Sequence, residues 1–87
     1  MAALKKLFTK FPPAVAQRHY SQACLIQNQL FEFYHFQSIG GKKLLLAPNL
    51  IRFKLGSYRL IFELNDGQFL PLVLIHRKNL TSFLKRR

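Results

Sequence analysis

The sequence predicts an α+β domain in which an N-terminal helical hairpin packs on a small antiparallel β-sheet. Residues 49–77 alternate apolar and polar side chains around two turns, a pattern typical of consecutive β-hairpins. The preceding residues space their apolar side chains with a helical period instead. A chain of 87 residues can form one modest hydrophobic core. We therefore expect a single domain over 1–87, with helices at about 2–30, the sheet at about 49–76 and a basic tail at 78–87.

Two helices are predicted ahead of the sheet. Residues 2–11 carry apolar side chains at helical spacing, with lysines on the opposite side. Pro12-Pro13 ends this helix and starts the next, because proline is tolerated in the first turn of a helix but not in its interior. The second helix is predicted over about 14–30. We expect the apolar sides of both helices to cover one face of the sheet.

Three strands are predicted after the helices, at residues 50–55, 58–64 and 68–75. Apolar residues alternate with polar ones in the first of them, and Gly-containing turns separate all three. Pro71 has no N–H donor, so we expect its strand to lie at an edge of the sheet or to contain a local break.

The lengths of the two turns determine the predicted strand register. A two-residue turn after the first strand places Lys54 opposite Arg59. A three-residue loop at 65–67 then places Val73 opposite Arg59 on the other side. Arg59 is therefore expected in the middle strand of the sheet.

Side-chain alternation sorts the strand residues onto two faces. One face is predicted to be apolar, formed by Ile51, Phe53, Leu55, Leu60, Phe62, Leu70, Leu72 and Leu74. The other is predicted to gather Arg52, Lys54, Arg59 and Arg77. Because like charges directly opposite each other cost stability, this arrangement favours an anionic partner such as a phosphate backbone. The alternative is that these long cations are simply solvated.

The charge balance points to the same kinds of partner. Fourteen lysines and arginines stand against three acidic residues, which gives a net charge of +11. Such an excess indicates association with nucleic acid, an acidic protein or an anionic membrane. No apolar run is long enough to span a membrane, and we expect no membrane partner.

Cysteine and histidine positions argue against metal or disulfide chemistry. The single cysteine, Cys24, excludes an internal disulfide framework and fits a reducing compartment, so we expect a cytoplasmic location. His19, His35 and His76 lack the spacing of metal ligands. Residues 40–43 are interpreted as a flexible basic loop, since the spacing of a phosphate-binding Walker motif is absent. We therefore expect no metal and no small-molecule cofactor.

The aromatic residues of 31–41 allow two interpretations. They are dense enough to stack on the bases of a nucleic acid. More often, such a cluster wraps the end of a helix onto a sheet, and we favour that role in the core.

A mitochondrial presequence is the alternative for the first twenty residues. This stretch has no acidic residue and begins with a basic amphipathic segment, and residues 18–21 have the character of a cleavage site. It contains few serines or threonines, however, and its removal would take a covering helix from the sheet. We therefore favour folded helices.

Three stretches together resemble the RelE/ParE superfamily of type II toxin–antitoxin toxins. They are the aromatic–glycine segment 33–41, the hairpin 51–63 with its basic-x-basic-Leu-Gly-x-Tyr-Arg pattern, and the strand that runs into His-Arg-Lys at 76–78. The resemblance covers about residues 2–80. It implies a small antiparallel sheet packed against two N-terminal helices. The family usually opens with a β-strand, which is missing from the elements predicted here.

The resemblance implies a toxin that cleaves mRNA on the ribosome and that is silenced by a cognate antitoxin protein. In RelE-type enzymes a 2′-hydroxyl of the message attacks the adjacent phosphate, and basic side chains stabilise the charge that develops. Such enzymes often carry a C-terminal tyrosine, and the nearest residues here are Thr81 and Phe83. The alternative is a non-catalytic module of the same fold, either a gyrase-directed toxin of the ParE branch or a decayed member that only binds antitoxin.

The resemblance also implies the roles of individual residues. Carried over by position, the catalytic roles fall on Arg59, Arg77 and Lys54. The RNA-binding roles are assigned to Arg52, Lys42, Lys43, His76 and Phe83.

Overall fold

Two helices come first in the computed structural model, which describes residues 2–33, 36–44 and 47–85. Within these residues the helices pack on a four-stranded antiparallel sheet, and a short helix follows the last strand. The elements in chain order are α1 (Ala2–Phe8), α2 (Pro13–Phe33), a 3₁₀ helix (Phe36–Ile39), β1 (Lys42–Leu44), β2 (Ala47–Leu55), β3 (Tyr58–Asn65), β4 (Gln68–His76), a second 3₁₀ helix (Arg77–Asn79) and α3 (Leu80–Lys85). The predicted α+β class is confirmed.

The two N-terminal helices are joined by a short connection. α1 ends at Phe8, earlier than predicted, and the N–H of Phe11 donates to the carbonyl of Phe8 at 3.2 Å. α2 begins at Pro13, whose fixed φ suits the first turn of a helix. It continues to Phe33, beyond the predicted end at residue 30.

The sheet has the strand order β1-β2-β3-β4, so β1 and β4 are its edges. The register of β2 against β3 is the predicted one, with Lys54 opposite Arg59 and Leu55 opposite Tyr58. Gly56 begins the turn between them with a φ of +59°, a conformation that glycine adopts without steric cost. The first predicted hairpin is therefore confirmed.

The second hairpin has a shorter turn than the three-residue loop predicted at 65–67. Asn65 pairs with Gln68, so the turn consists of Asp66 and Gly67 alone. Both residues have positive φ, 52° and 78°, which matches the two-residue turn that Asp-Gly favours. The predicted loop length is wrong because this dipeptide suffices to reverse the chain.

A bulge in β4 shifts the register a second time. Phe62 pairs with Pro71 and Ile61 with Val73, which leaves Leu72 without a partner in β3. Pro71 thus lies on an edge strand beside a local irregularity, as predicted. The missing N–H of proline is tolerated at such a position.

The turn and the bulge together change which residues oppose each other. Ile75 lies opposite Arg59, so the predicted pairing of Val73 with Arg59 is wrong. The displacement there is two positions, an even number, so Leu74 remains on its predicted apolar face, where it is buried. Nearer the turn the displacement is odd: Leu70 pairs with Glu63 and is 44% exposed. Its predicted place on the helix-covered face is wrong.

The larger hydrophobic core lies between the helices and the sheet. Its buried residues are Leu4, Phe8, Ala23, Ile26, Leu30, Phe36, Ile51, Phe53, Leu55, Leu60, Phe62 and Leu74. Leu4 of α1 is completely buried, which fits the interpretation of the N-terminal segment as a folded helix. Apolar burial of this kind is the main favourable term in folding.

A second, smaller core lies on the opposite face of the sheet. Its buried residues are Leu44, Leu50 and Ile61. The partly buried side chains that pack against them include Leu80, Phe83 and Leu84 of α3. Leu72 also packs against this second core, so its prediction on the helix-covered face is wrong. The face predicted to be cationic is therefore partly apolar.

Residues 40–43 do not form the predicted flexible loop throughout. Lys42 and Lys43 belong to β1, where they pair with Arg52 and Ile51 of β2. Paired residues of an antiparallel sheet point to the same side. The two lysines therefore leave the sheet on opposite faces.

The aromatic segment contributes to the core, as we favoured. Phe36 is buried, and its ring lies 6.1 Å from the ring of Phe69 in an edge-to-face arrangement. Phe31 is instead 86% exposed. The predicted motif residues Tyr34 and His35 lie outside the described residues.

The basic tail predicted at 78–87 is partly helical. It contributes Lys78 to the second 3₁₀ helix and then forms α3 up to Lys85. Arg86 and Arg87 lie outside the described residues.

A group of rings joins the helices to the β2–β3 hairpin. The Tyr58 ring lies 5.3 Å from that of Phe11, 5.9 Å from that of His19 and 5.4 Å from that of His76. All three contacts are edge-to-face, the geometry that aromatic pairs prefer. This ring cluster (Phe11, His19, Tyr58 and His76) fixes α2 against the turn that follows β2.

We expect folding stability to fall as the pH drops below about 6.5 through the protonation of His19. Burial, and then the charge of Arg18, lower the pKa of His19 from its ordinary value of 6.5. Because the pKa of His19 is lower in the folded protein, the unfolded chain binds the proton more tightly. Acid below about pH 6.5 therefore favours unfolding. Urea unfolding at pH 7.5 and pH 5 measures the effect. The loss of stability should be smaller in His19→Gln, and an equal loss in both proteins would contradict the prediction.

Candidate nucleic-acid interface

Five cations gather at one end of the sheet, on the face opposite the N-terminal helices. We call this surface the cationic face: Lys42, Arg52, Lys54, Arg59 and Arg77. The register pairs Lys42 with Arg52 and Lys54 with Arg59, so these four side chains leave the sheet on one side. Arg77 follows β4, and its N–H donates to the carbonyl of Ser57 at 2.9 Å, in the turn beside Arg59.

Arg59 is held by the backbone of the β2–β3 hairpin. Its Nη1 donates to the carbonyl oxygens of Gly56, at 3.0 Å, and Tyr58, at 2.9 Å. A guanidinium carries its other three N–H groups on Nε and Nη2. The two carbonyls therefore orient the side chain by one nitrogen, and the rest of its planar fork can donate to an anion.

Arg59 also lies close to other positive charges. Burial is the main influence that lowers the pKa of its guanidinium, followed by the charges of Arg52 and Arg77. An arginine remains charged at neutral pH despite such a shift. Three guanidinium groups thus repel one another at this end of the sheet, and a bound phosphate would relieve the repulsion.

The described acidic side chains lie away from this end. Glu63 is on the same face but four residues along β3 from Arg59, about 13 Å in an extended strand, and it accepts a hydrogen bond from Nδ2 of Asn49 at 3.4 Å. Asp66 lies farther still, in the β3–β4 turn. The positive potential around Arg59 is therefore only weakly opposed by these two carboxylates.

Three of the predicted RNA-binding residues lie off the cationic face. Lys43 pairs with Ile51 and so leaves the sheet on the other side. The ring of His76 contacts Tyr58, and its Nδ1 accepts a hydrogen bond from the N–H of Lys78 at 3.2 Å. Phe83 packs against the second core from α3. The remaining five predicted residues form the cationic face.

The cationic face can bind phosphates and stabilise negative charge that develops on them. Lysine and arginine are donors only, and they do not take up a proton at neutral pH. Proton transfer in a cleavage reaction needs a base or acid with a suitable pKa within hydrogen-bonding reach. The two described histidines belong to the ring cluster instead of this face.

Neither a metal site nor a membrane span is found in the part of the chain that the structure describes. No group of three histidine, cysteine, aspartate or glutamate side chains is placed to hold a metal ion within 2–33, 36–44 and 47–85. Within the same ranges, no helix combines the length and the apolar character needed to cross a bilayer.

Sequence reasoning missed the second core beneath α3. The signal for it was present, because Leu50 and Ile61 have the same strand parity as Arg52 and Arg59. When the apolar residues are considered together with the cations, strand parity predicts a face that is partly apolar and partly cationic. The second core matters for the site because it packs against the same sheet face from which Arg52 and Arg59 project.

Comparisons with models of known protein families, with curated proteins and with solved structures find no match for this chain.

Lys54→Gln should reduce the salt dependence of RNA binding. Each phosphate contact to a single strand contributes about 0.7 to the slope of log affinity against log salt, and Lys54 is exposed on the cationic face. Fluorescence anisotropy with a short labelled RNA at several salt concentrations measures the slope. Lys10→Gln makes the same charge change on an exposed residue after α1 and should leave the slope unchanged. Equal changes in both variants would mean that only net charge matters.

Proposed function

We propose that this chain is the toxin of a type II toxin–antitoxin system, of RelE/ParE type, and that it cleaves mRNA on the ribosome in the cytoplasm. The observation that carries the proposal is Arg59, held by two backbone carbonyls at the centre of the cationic face. An arginine oriented in this way is suited to a transition state in which negative charge builds up on a phosphate.

In the proposed reaction the 2′-hydroxyl oxygen of a nucleotide attacks the adjacent phosphorus. The new P–O bond forms as the bond to the 5′-oxygen of the next nucleotide breaks, which leaves a 2′,3′-cyclic phosphate on one product. The 2′-hydroxyl gives its proton to water and the released 5′-oxygen takes one from water, because lysine and arginine do not exchange protons readily at neutral pH. Arg59 donates to the phosphate oxygens as their charge increases, and the charges of Arg77 and Lys54 strengthen the positive field around them. Arg52 and Lys42 bind neighbouring phosphates and set the position of the strand.

A second candidate function is a non-catalytic binding module of the same fold, such as a gyrase-directed toxin or a decayed member that binds antitoxin. One observation favours it: the His76 ring contacts Tyr58 and accepts a hydrogen bond from the N–H of Lys78, so it lies away from the cationic face and cannot transfer a proton there. Phe83 packs against the second core and has no proton to transfer. Under this candidate the cationic face binds an anionic partner without cleaving it.

The proposed protein partner is an acidic antitoxin. The chain has a net charge of +11, which attracts an acidic protein over long distances. Such a protein would neutralise the cationic face. Purification at low salt together with the product of the adjacent gene tests this pairing. Release of the partner at high salt is the expected behaviour.

Primer extension on a message translated in the presence of the protein distinguishes the functions. Cuts within ribosome-occupied codons, absent when the message is not translated, support the proposed ribonuclease. DNA breaks that depend on gyrase, with an intact message, support the gyrase-directed module instead. Growth and message integrity that stay normal at high expression without a partner would overturn the toxin proposal.

A further inference from the structure

The turn that holds Arg59 is itself held by a residue of the helical layer. Gly56 lies between the Arg59 guanidinium, which donates to its carbonyl at 3.0 Å, and the ring of His19 on α2. A Cβ built on Gly56 would lie only 2.9 Å from Cε1 and 3.2 Å from Nε2 of that ring. The His19 ring is therefore packed directly on the backbone that accepts the hydrogen bond from Arg59.

A second contact passes through Tyr58. Its carbonyl accepts the other Nη1 hydrogen bond of Arg59 at 2.9 Å, and its ring lies 5.9 Å from that of His19. Both carbonyls that orient Arg59 thus belong to residues that His19 contacts. On the β4 side, the N–H of Arg77 donates to the carbonyl of Ser57 at 2.9 Å, so the turn is fixed from both sides.

We infer that His19 is a positioning residue for Arg59. It acts by packing on the β2–β3 turn, which fixes the two carbonyls and through them the plane of the guanidinium. The inference rests on the proposed function in one respect, namely that Arg59 acts on the phosphate. Its consequence is a direct connection between α2 and the cationic face.

The structural part of the inference is tested by NMR of the arginine side chain. The Nε–Hε resonance of Arg59, assigned by its loss in Arg59→Lys, should move towards the position of exposed arginines in His19→Ala. His19→Phe keeps a ring against the turn and should leave the resonance near its wild-type position. Tyr20→Ala is the matched control, since it removes a ring of α2 that packs on Phe8 of α1 at 5.3 Å instead of on the turn.

The functional part is tested by cleavage kinetics in a translation reaction. A misplacement of about 1 Å at a reacting centre costs on the order of 100-fold, so we expect His19→Ala to lower kcat by roughly 10- to 100-fold with little change in KM. Tyr20→Ala should lower thermal stability but keep kcat. In the Arg59→Lys background, the additional loss from His19→Ala should be less than about twofold, because the two residues act as one unit.

The outcomes separate the inference from the function it rests on. An Arg59 resonance that is unchanged in His19→Ala overturns the inference whether or not the protein cleaves RNA. A full His19 effect on kcat in the Arg59→Lys background also overturns it, because that result indicates a general structural role. If the resonance moves as expected but the wild-type protein cuts no message, the proposed function fails and the positioning of Arg59 by His19 stands.

Discussion

Arg59→Lys is expected to lower the rate of mRNA cleavage by about two to three orders of magnitude, the cost of removing one charge-stabilising donor in other enzymes. The substitution keeps the positive charge, so most of the RNA affinity should remain. It removes the planar guanidinium, in which two carbonyls fix Nη1 while the N–H groups of Nε and Nη2 can donate to a phosphate. A lysine offers a compact charge that cannot be anchored by one nitrogen and donate with another.

Arg18→Lys is the matched control for this prediction. Arg18 is an exposed arginine of α2, and the same chemical change there should leave the cleavage rate within about twofold of wild type. Cleavage rates come from primer extension over time, affinity from anisotropy, and folding from circular dichroism. Equal losses in the two variants would show that the arginines act as a general source of positive charge. An unchanged rate in Arg59→Lys would remove Arg59 from the catalytic assignment.

The first hairpin could be predicted from the sequence because a single two-residue turn determines its register. Gly56 supplies the positive φ that the turn requires, and the strand alternation then places Lys54 opposite Arg59. The core of the candidate site follows from this hairpin alone. β2 and β3 are the two central strands, and their register does not depend on the edge strands, so the errors in β4 leave the predicted face of Arg59 unchanged.

The second hairpin could not be predicted with the same accuracy because two local effects add to each other. The loop at 65–67 allowed turns of two or three residues, and only the structure shows that Asp66 and Gly67 suffice. The bulge at Leu72 then inserts an extra residue, a feature that strand alternation cannot reveal. The shorter turn alone moved Leu70 to the opposite face, and the turn and the bulge together placed Ile75 opposite Arg59.

The pairing of β1 depends on contacts that are remote in sequence. Lys42 joins the cationic face only because β1 pairs with β2, and three residues give too short a pattern to predict a strand. The sequence therefore predicts the part of the site on the β2–β3 hairpin, whereas the position of Lys42 depends on the tertiary packing of β1.

Phe53→Ala is expected to destabilise the fold by about 3–5 kcal/mol, the usual cost of deleting a buried phenylalanine side chain. Phe53 is 1% exposed in β2, and its ring lies 5.6 Å from that of Phe62 in an edge-to-face contact. The backbone of Gly41 comes so close that a Cβ there would lie 2.7 Å from Cζ of Phe53. The residue therefore joins the segment before β1 to the centre of the sheet.

The size of this loss can be judged against the stability that a small domain has. At about 0.05–0.15 kcal/mol per residue, a chain of 87 residues has roughly 4–13 kcal/mol in total. The variant should unfold at a much lower urea concentration, and its Tm should fall by about 12 °C or more. Phe31→Ala deletes the same atoms from a side chain that is 86% exposed, so its free energy of unfolding should change by less than about 0.5 kcal/mol. Similar losses in the two variants would contradict the assignment of Phe53 to the core, because the two substitutions differ in burial and hardly at all in chemistry.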